Sequence, residues 1–359
     1  MTQAASQVYY PVSLNRAEIA LKLYDRYGEK YPDVYRNFSA SQKTKMLEIF
    51  NTHLEYLQES LAIGDAAILI NYAGWAKIML SSLHLTEKSL ALSLGVMPEV
   101  LRNELPPEIS KRADNYIEKS IASLVTAPSD VPTFIREDNP RAPVARAFLE
   151  ALLGADRNAA LSLIGDQVKN GVPVRDIYLN IFQPVLREVG RLWQVRKATI
   201  TQEHFVTSAT QLIIAQLYPQ LMAEKRAATP RGKTLVAACV SDEHHEMGVR
   251  MVADFFEMDG WDAYYIGANT PAPDLINAVK ERKADVVALS STMASHLPQV
   301  DYLIRSLRGD TDTRQVKIII GGYPFNIVPG LWQKIGADAY AASADEAVRA
   351  GNRLSPAKG

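Results

Sequence analysis

The chain has 359 residues, 47% of them hydrophobic, which is long enough to bury the cores of two or three domains. Its formal net charge of -1 gives no long-range attraction to nucleic acid or to anionic membranes. A single cysteine, Cys239, excludes an internal disulfide and is typical of a reducing compartment.

The amino-terminal segment has no basic start leading into an apolar core, so we expect no secretory signal. No uncharged apolar run in the sequence approaches the ~20 residues that a membrane span needs. We therefore expect a cytoplasmic protein without a membrane anchor.

The first zone of the chain has a helical pattern. Met46, Phe50, Leu54 and Leu57 recur at helical spacing, for example. We predict an all-helical N-terminal domain over residues 1–125. Four prolines then interrupt the pattern, and residues 126–143 are predicted to be a linker.

A second helical zone follows the linker. Its breaks at Gly154, at Gly171 to Pro173 and around Lys197 divide it into four helices. Four consecutive helices of this length predict a four-helix bundle over residues 144–226.

From residue 227 onward short apolar runs alternate with helical segments. The five runs are "TLVAACV", "DAYYIG", "DVVALSS", "VKIIIGG" and "ADAYAAS". This alternation predicts a Rossmann-like, doubly wound, five-stranded parallel sheet over residues 227–359, and hence an α and α/β multidomain protein. Ligands of such sheets gather at the carboxyl ends of the strands.

Polar and glycine residues in a fixed register occupy those strand ends. They are Glu243, His245, Gly248, Ser290, Thr292, Gly321 and Gly322. The layout, an acid-x-His-x-x-Gly loop followed by a serine and threonine pair and then Gly-Gly, resembles the signature of cobalamin-binding domains. The same register favours His245 over His244 as the ligand, because reading from His244 would put Met247 where the glycine belongs.

The resemblance implies a role for each of these positions. His245 would coordinate the lower face of the cobalt, and Glu243 would accept a hydrogen bond from its other ring nitrogen. The glycines, with Ser290 and Thr292, would surround the nucleotide tail of the cofactor.

The bundle carries a second motif, in which Trp193 is followed by nine residues and then Glu203 and His204. This spacing resembles the CarH-type adenosylcobalamin photoreceptors. The resemblance implies that Trp193 packs on the adenosyl group and that Glu203 binds its ribose hydroxyls. His204 would take the upper cobalt position after light removes that group.

The N-terminal domain differs from that of the CarH-type repressors. Residues 1–75 hold seven Lys and Arg against eight Asp and Glu, so we expect no direct binding of nucleic acid. The domain order resembles the photocobilins, which hold biliverdin beside adenosylcobalamin. That resemblance would make His53, Tyr56, Tyr72 and Trp75 a noncovalent bilin pocket, whereas their spacing alone indicates ordinary amphipathic core.

These observations favour a light sensor that is not an enzyme, binds adenosylcobalamin, and loses the adenosyl group on illumination. Its conformation or oligomeric state would then change, and it would signal to an unidentified protein. The alternative is a corrinoid protein of a methyl transfer system, which also pairs a helical bundle with this fold. A cobalamin-binding scaffold without photochemistry is a third possibility. Mutase activity is least expected, because the sequence pattern shows no barrel of ~250 residues to hold a substrate radical.

Overall fold

The computed structural model describes residues 14–81 and 87–356, and these form two compact units. One unit runs up to Ser129 and also includes Ser291–Ile304 and Tyr323–Gly336. The other contains the rest of the chain from Asp130 onward. Most of the segment considered for a secretory signal lies outside the described residues.

The first unit contains the N-terminal helices, as the sequence predicts. They are α1 Arg16–Lys30, α2 Pro32–Arg36, α3 Ala40–Ile63, α4 Ala67–Ser81, α5 Glu87–Glu104 and α6 Pro107–Leu124. Ser39 and Gln42 form a reciprocal capping box at the start of α3, and Gly64 ends that helix with a φ of 70°. Aliphatic and aromatic side chains from α1, α3, α4, α5 and α6 share one core.

The two later segments of this unit follow strands of the sheet along the chain. Ser291–Ile304 comes after the third strand and Tyr323–Gly336 after the fourth. Inside the unit they lie against the N-terminal helices, where Lys334 Nζ donates to the carbonyl of Ile63 over 3.5 Å. We predicted one continuous domain over residues 227–359, and the sequence pattern gave no sign of this arrangement.

The second unit begins with the predicted bundle. Its helices are α7 Ala142–Leu153, α8 Arg157–Lys169, α9 Val174–Ile177, α10 Gln183–Gln194, α11 Ile200–Gln216 and α12 Tyr218–Ala227. A π-helical turn, Tyr178–Phe182, joins α9 to α10, so these three pieces form one of the four rods. Pro184, just after that turn, has no N–H for the regular ladder.

The segment before α7 is held to the bundle although it has no regular structure. Glu188 accepts from the backbone N of Phe134, and Arg191 donates to the carbonyl of Val131. Glu188 and Arg191 also pair with each other. The predicted linker is therefore fixed over this part of its length.

The sheet has five parallel strands in the order β2-β1-β3-β4-β5. The strands are β1 Thr234–Cys239, β2 Asp262–Gly267, β3 Val286–Ser290, β4 Lys317–Gly321 and β5 Ala339–Tyr340. The helices between and after them are α13 Met247–Met258, α14 Ala272–Arg282, α15 Leu297–Gly309, α16 Tyr323–Ile327, α17 Leu331–Lys334 and α18 Ala344–Leu354, with a 3-10 turn at Ala294–His296. The predicted fold class, an N-terminal helical domain with a Rossmann-like five-stranded sheet, is confirmed.

Bundle and sheet share one core within the second unit. Tyr178, at the π-helical turn, donates its hydroxyl to Asp254 of α13 over 2.8 Å. Within residues 14–81 and 87–356, no helix combines the length and apolarity that crossing a membrane requires.

Candidate functional site

The loop after β1 carries the predicted lower ligand. The backbone N of Asp242, whose φ is 66°, donates to Asn269 Oδ1 over 2.8 Å. Asn269 N donates back to the carbonyl of Glu243 over 2.9 Å. The loop is thus tied to the segment that follows β2.

Glu243 is fully buried and holds His245. Its Oε1 accepts from the backbone N of His245 over 2.9 Å and lies 2.5 Å from ring Nδ1. The His245 side chain itself is 60% exposed. Nε2 has no hydrogen-bond partner among the described residues, so it is the nitrogen that a metal would receive.

The electrostatic surroundings of His245 favour its protonated form. The hydrogen bond to Glu243 raises the pKa of the imidazole, burial opposes that rise, and the charges of Glu243 and Glu203 add to it. A metal at Nε2 therefore competes with a proton, and the buried carboxylate strengthens the imidazole as a ligand. The adjacent His244 is exposed.

The strand ends place further predicted residues in one row. Cys239 of β1 pairs in register with Ser290 of β3, which pairs with Gly321 of β4. Ser290 is half-buried at this edge. Burial raises the pKa of the Cys239 thiol to about 12, so this residue serves as a small core side chain.

Glycine is required at two of the three signature positions by the backbone, and the third position differs. A Cβ on Gly321 would lie 2.9 Å from the carbonyl of Ala341, and Gly322 has a φ of 111°. Both positions therefore need glycine for the backbone alone. A Cβ on Gly248 would meet no atom within 4 Å, so this position is open space beside His245.

Thr292 follows the same strand end but belongs to the first unit, where it is half-buried. Its neighbour Ser291 is fully buried and donates to the carbonyl of Met293 over 3.2 Å. The sequence analysis did not single out Ser291, because two adjacent hydroxyl residues look equivalent in a sequence.

The upper-face motif lies at the start of α11. Thr199 and Gln202 cap the helix reciprocally, which puts Glu203 and His204 in its first turn. The Glu203 side chain is 28% exposed and that of His204 72%, with His204 Nε2 3.6 Å from Glu203 Oε2. Thr207, one turn later, donates to Glu203 Oε1 over 3.1 Å.

The helix that carries Glu203 contacts the lower-ligand loop, because Gln211 of α11 donates to Glu246, the residue after His245, over 2.7 Å. Trp193 is half-buried at the end of α10. The second unit therefore brings α11, which carries Glu203 and His204, next to the His245 loop.

Glu246 is a polar residue of this site that the sequence analysis missed. It follows His245 and accepts hydrogen bonds from Gln211 of α11, from Tyr265 of β2 and from the backbone of Ala268. In the sequence it is one of several acids around a doubled histidine, and nothing there distinguishes it.

The residues considered for a second chromophore lie in the core of the first unit. His53 is fully buried, with Nδ1 2.8 Å from the Tyr72 hydroxyl and Nε2 2.9 Å from Ser93 Oγ. Burial lowers the pKa of His53 to about 3. Tyr56 stacks on Tyr72 with ring centroids 4.3 Å apart, and Trp75 stacks on the same ring at 6.4 Å.

The residues present fit a cobalamin. The corrin ring itself supplies four ligands to its cobalt, so the protein needs one oriented imidazole nitrogen and space beside it. His245 Nε2 and the open position at Gly248 provide these. The described residues contain no cluster of three or more His, Cys, Asp or Glu that would hold a bare metal ion.

Known protein families match two parts of the chain. One B12 binding domain model matches residues 233–350, and a second model of the same description matches residues 144–218. The matches coincide with the sheet domain and most of the bundle. Residues 1–143 lie outside both.

Individual relatives agree with these matches. The chain is 27% identical to a dimethylamine corrinoid protein of Methanosarcina acetivorans over 205 residues, which is 57% of this chain and 93% of that protein. It is 33% identical to another from Methanosarcina mazei over 135 residues, covering 37% and 78%. It is 26% identical to the HTH-type transcriptional repressor CarA of Myxococcus xanthus over 187 residues, covering 52% and 62%.

A solved structure supports the fold. The monomethylamine corrinoid protein of Methanosarcina barkeri superposes with a TM-score of 0.53 at 18% identity. The superposition covers 60% of this chain and 99% of that one.

Proposed function

This chain belongs to the B12-binding protein family, and on that premise we propose that it is an adenosylcobalamin light sensor. His245 holds the cofactor from below, with Glu243 fixing the ring so that Nε2 faces the cobalt. Glu203 and His204 of α11 serve the opposite face. When bound, the cofactor supplies a cobalt-carbon bond that visible light breaks.

The observation that carries this proposal is the position of Glu203. Glu203 lies on the same helix as Gln211, which bonds to Glu246 next to His245, and His204 stands beside Glu203 with Nε2 3.6 Å from its Oε2. A carboxylate can accept hydrogen bonds from the two vicinal hydroxyls of a ribose. A neighbouring exposed imidazole can coordinate cobalt when the upper position becomes vacant. A corrinoid protein that carries methyl groups must exchange its upper ligand at every turnover. A histidine able to occupy the upper position would compete with that exchange.

The first unit supports a signalling role. Residues 1–143 lie outside both family matches, so the chain has a helical unit in addition to its B12 binding domains. A sensor needs an element that passes its state to a partner or to a second copy of itself. We propose that this unit, together with the oligomeric state, is the output.

The proposal is tested by loading the protein with adenosylcobalamin in the dark and then illuminating it. The expected result is a changed visible spectrum, with a stable product and a changed molecular mass in solution. An unchanged spectrum contradicts light sensing.

The second candidate is a corrinoid protein of a methyl transfer system. Similarity to the dimethylamine corrinoid proteins favours it over the first. Here too the chain would hold the cofactor for another protein and would not itself be the enzyme. Tight binding of methylcobalamin, with none of adenosylcobalamin, would establish this candidate and exclude the first.

A noncovalent bilin in the N-terminal helices stays a prediction from the resemblance to the photocobilins. Both ring nitrogens of His53 are used by Tyr72 and Ser93, so a bilin would rely on the aromatic faces of Tyr56 and Trp75. Biliverdin should then give a red-absorbing complex that is lost in Trp75→Ala and kept in His245→Ala. Absence of any such complex contradicts it.

A further inference from the structure

Glu246 connects three elements around the candidate cobalamin site. It follows His245 directly and precedes the first residue of α13. Its Oε1 accepts from Gln211 Nε2 of α11 over 2.7 Å. Its Oε2 accepts from the Tyr265 hydroxyl over 2.7 Å and from the backbone N of Ala268 over 3.0 Å.

The surroundings of Glu246 are suited to a carboxylate. All three donors are neutral, and the N-terminal end of α13 favours a negative charge at this position. Gly267 has a φ of 112°, and a Cβ there would lie 3.2 Å from Oε2, so the glycine lets the Ala268 N–H approach. Burial and the bond to Glu246 both raise the pKa of Tyr265.

Gln211 brings the bundle into this arrangement. It lies two helical turns after Glu203, with Thr207 between them, so the three residues share one face of α11. Thr207 bonds to Glu203 near one end of this face, and Gln211 bonds to Glu246 at the other. The position of Glu203 is thereby fixed relative to the residue next to His245.

We propose that the Gln211–Glu246 hydrogen bond fixes the clearance between α11 and the His245 loop and so determines which upper axial ligand the site prefers. Gln211 and Glu246 are positioning residues, since they act through the placement of Glu203. The proposal rests on cobalamin binding at His245 and is independent of any response to light. A large upper ligand such as an adenosyl group would contact α11 and would depend on this clearance, whereas a water ligand would be too small to do so.

The test compares the dissociation constants of adenosylcobalamin and aquocobalamin in the dark, in protein that carries His204→Ala so that this imidazole cannot replace the water of aquocobalamin. In Gln211→Ala the affinity for adenosylcobalamin should fall by about three- to tenfold, the net effect of one lost hydrogen bond of typical strength, and that for aquocobalamin should not change. The matched control is Gln216→Ala on the exposed side of the same helix, which should change neither. Tyr265→Phe removes a donor on the β2 side and should leave the ratio near that of the original protein.

Three results would overturn the proposal. The ratio of the two dissociation constants could be unchanged in Gln211→Ala, the affinity for both cofactors could fall equally, or the original protein could bind both cofactors with the same affinity. The visible spectrum of bound aquocobalamin should be the same in all variants, because His245 is untouched, and a shifted spectrum would show that Gln211 acts on the lower ligand instead. If illumination changes nothing while the ratio responds to Gln211→Ala, the light-sensing function fails and the inference stands.

Discussion

A single oxygen of Glu243 accepts two hydrogen bonds from His245, one from the backbone N over 2.9 Å and one from ring Nδ1 over 2.5 Å. The Glu243 carboxylate therefore fixes both the imidazole ring and the backbone of His245. The Glu243 side chain makes both contacts directly. The remaining ring nitrogen, Nε2, has no hydrogen-bond partner among the described residues, and the side chain is exposed.

This relationship predicts the effect of removing the charge from Glu243. In Glu243→Gln cobalamin should bind about 10- to 100-fold more weakly, as for other partners that orient a metal-bound histidine. Equilibrium dialysis measures the change. His244→Ala, at the exposed neighbouring residue, is the matched control and should bind as the original protein does, and equal affinities in all three proteins would contradict the assigned contact.

Two glycine substitutions separate backbone requirements from cofactor requirements. Gly321→Ala places a Cβ 2.9 Å from the Ala341 carbonyl and should lower the free energy of unfolding of the cofactor-free protein by ~1–3 kcal/mol. Gly248→Ala meets open space within α13 and should not lower it, because alanine is the better helix former. Gly248→Ala should instead weaken cobalamin binding. Denaturant unfolding and a binding titration check both statements, and full binding by Gly248→Ala would remove Gly248 from the cofactor site.

His53 predicts a dependence of stability on pH. Its pKa is about 3 in the folded state and about 6.5 in the unfolded chain, so between these values only the unfolded state takes up the proton. The free energy of unfolding should therefore fall as the pH falls through this window, by at most ~1.4 kcal/mol per pH unit. Burial raises the pKa of Asp254 to about 6, which acts in the opposite direction between pH 6 and 4.

His53→Gln isolates the contribution of the histidine, since Asp254 is present in both proteins. Thermal unfolding from pH 7 to pH 4 should show a smaller loss of stability in the variant. Parallel curves would mean that His53 is protonated in the folded core as readily as in the unfolded chain.

His204→Ala tests the role of the exposed histidine on α11. The variant should bind adenosylcobalamin in the dark with the affinity of the original protein, because the proposed role of His204 begins only when the adenosyl group has left. After illumination its product should lack the spectrum of cobalt with two imidazole ligands and should lose the cofactor faster. A product identical to that of the original protein would exclude His204 as the upper ligand.

The sequence predicts well what depends on local pattern. The spacing of Gly248, Ser290 and Gly321 selects His245 over His244, and the structure gives His245 the buried carboxylate partner. The five apolar runs become the five strands, since such runs between helices are typical of parallel strands buried on both faces. The helical spacing of His53 with Tyr56 and of Tyr72 with Trp75 indicates core packing, and the side chains of His53 and Tyr72 are buried.

Features that depend on contacts far apart in the chain were not predictable. The role of Glu246 arises from Gln211 and Tyr265, 35 residues before it and 19 residues after it. The inclusion of Ser291–Ile304 and Tyr323–Gly336 in the first unit depends on side chains that meet helices over 200 residues earlier, as Lys334 meets Ile63. Neither the contacts of Glu246 nor the packing of these two segments produces a periodic pattern in the sequence, because each contact needs only one or two suitable side chains.

The central claim is that a histidine of this chain, His245, is the lower ligand of a bound cobalamin. Electron paramagnetic resonance of the Co(II) cofactor tests it most directly in protein whose histidines alone carry nitrogen-15. The account predicts that the superhyperfine triplet seen with natural nitrogen becomes a doublet, and that His245→Ala no longer shows this doublet. A triplet that persists in the labelled protein would mean that the cofactor keeps its own base on the cobalt, and would contradict the account.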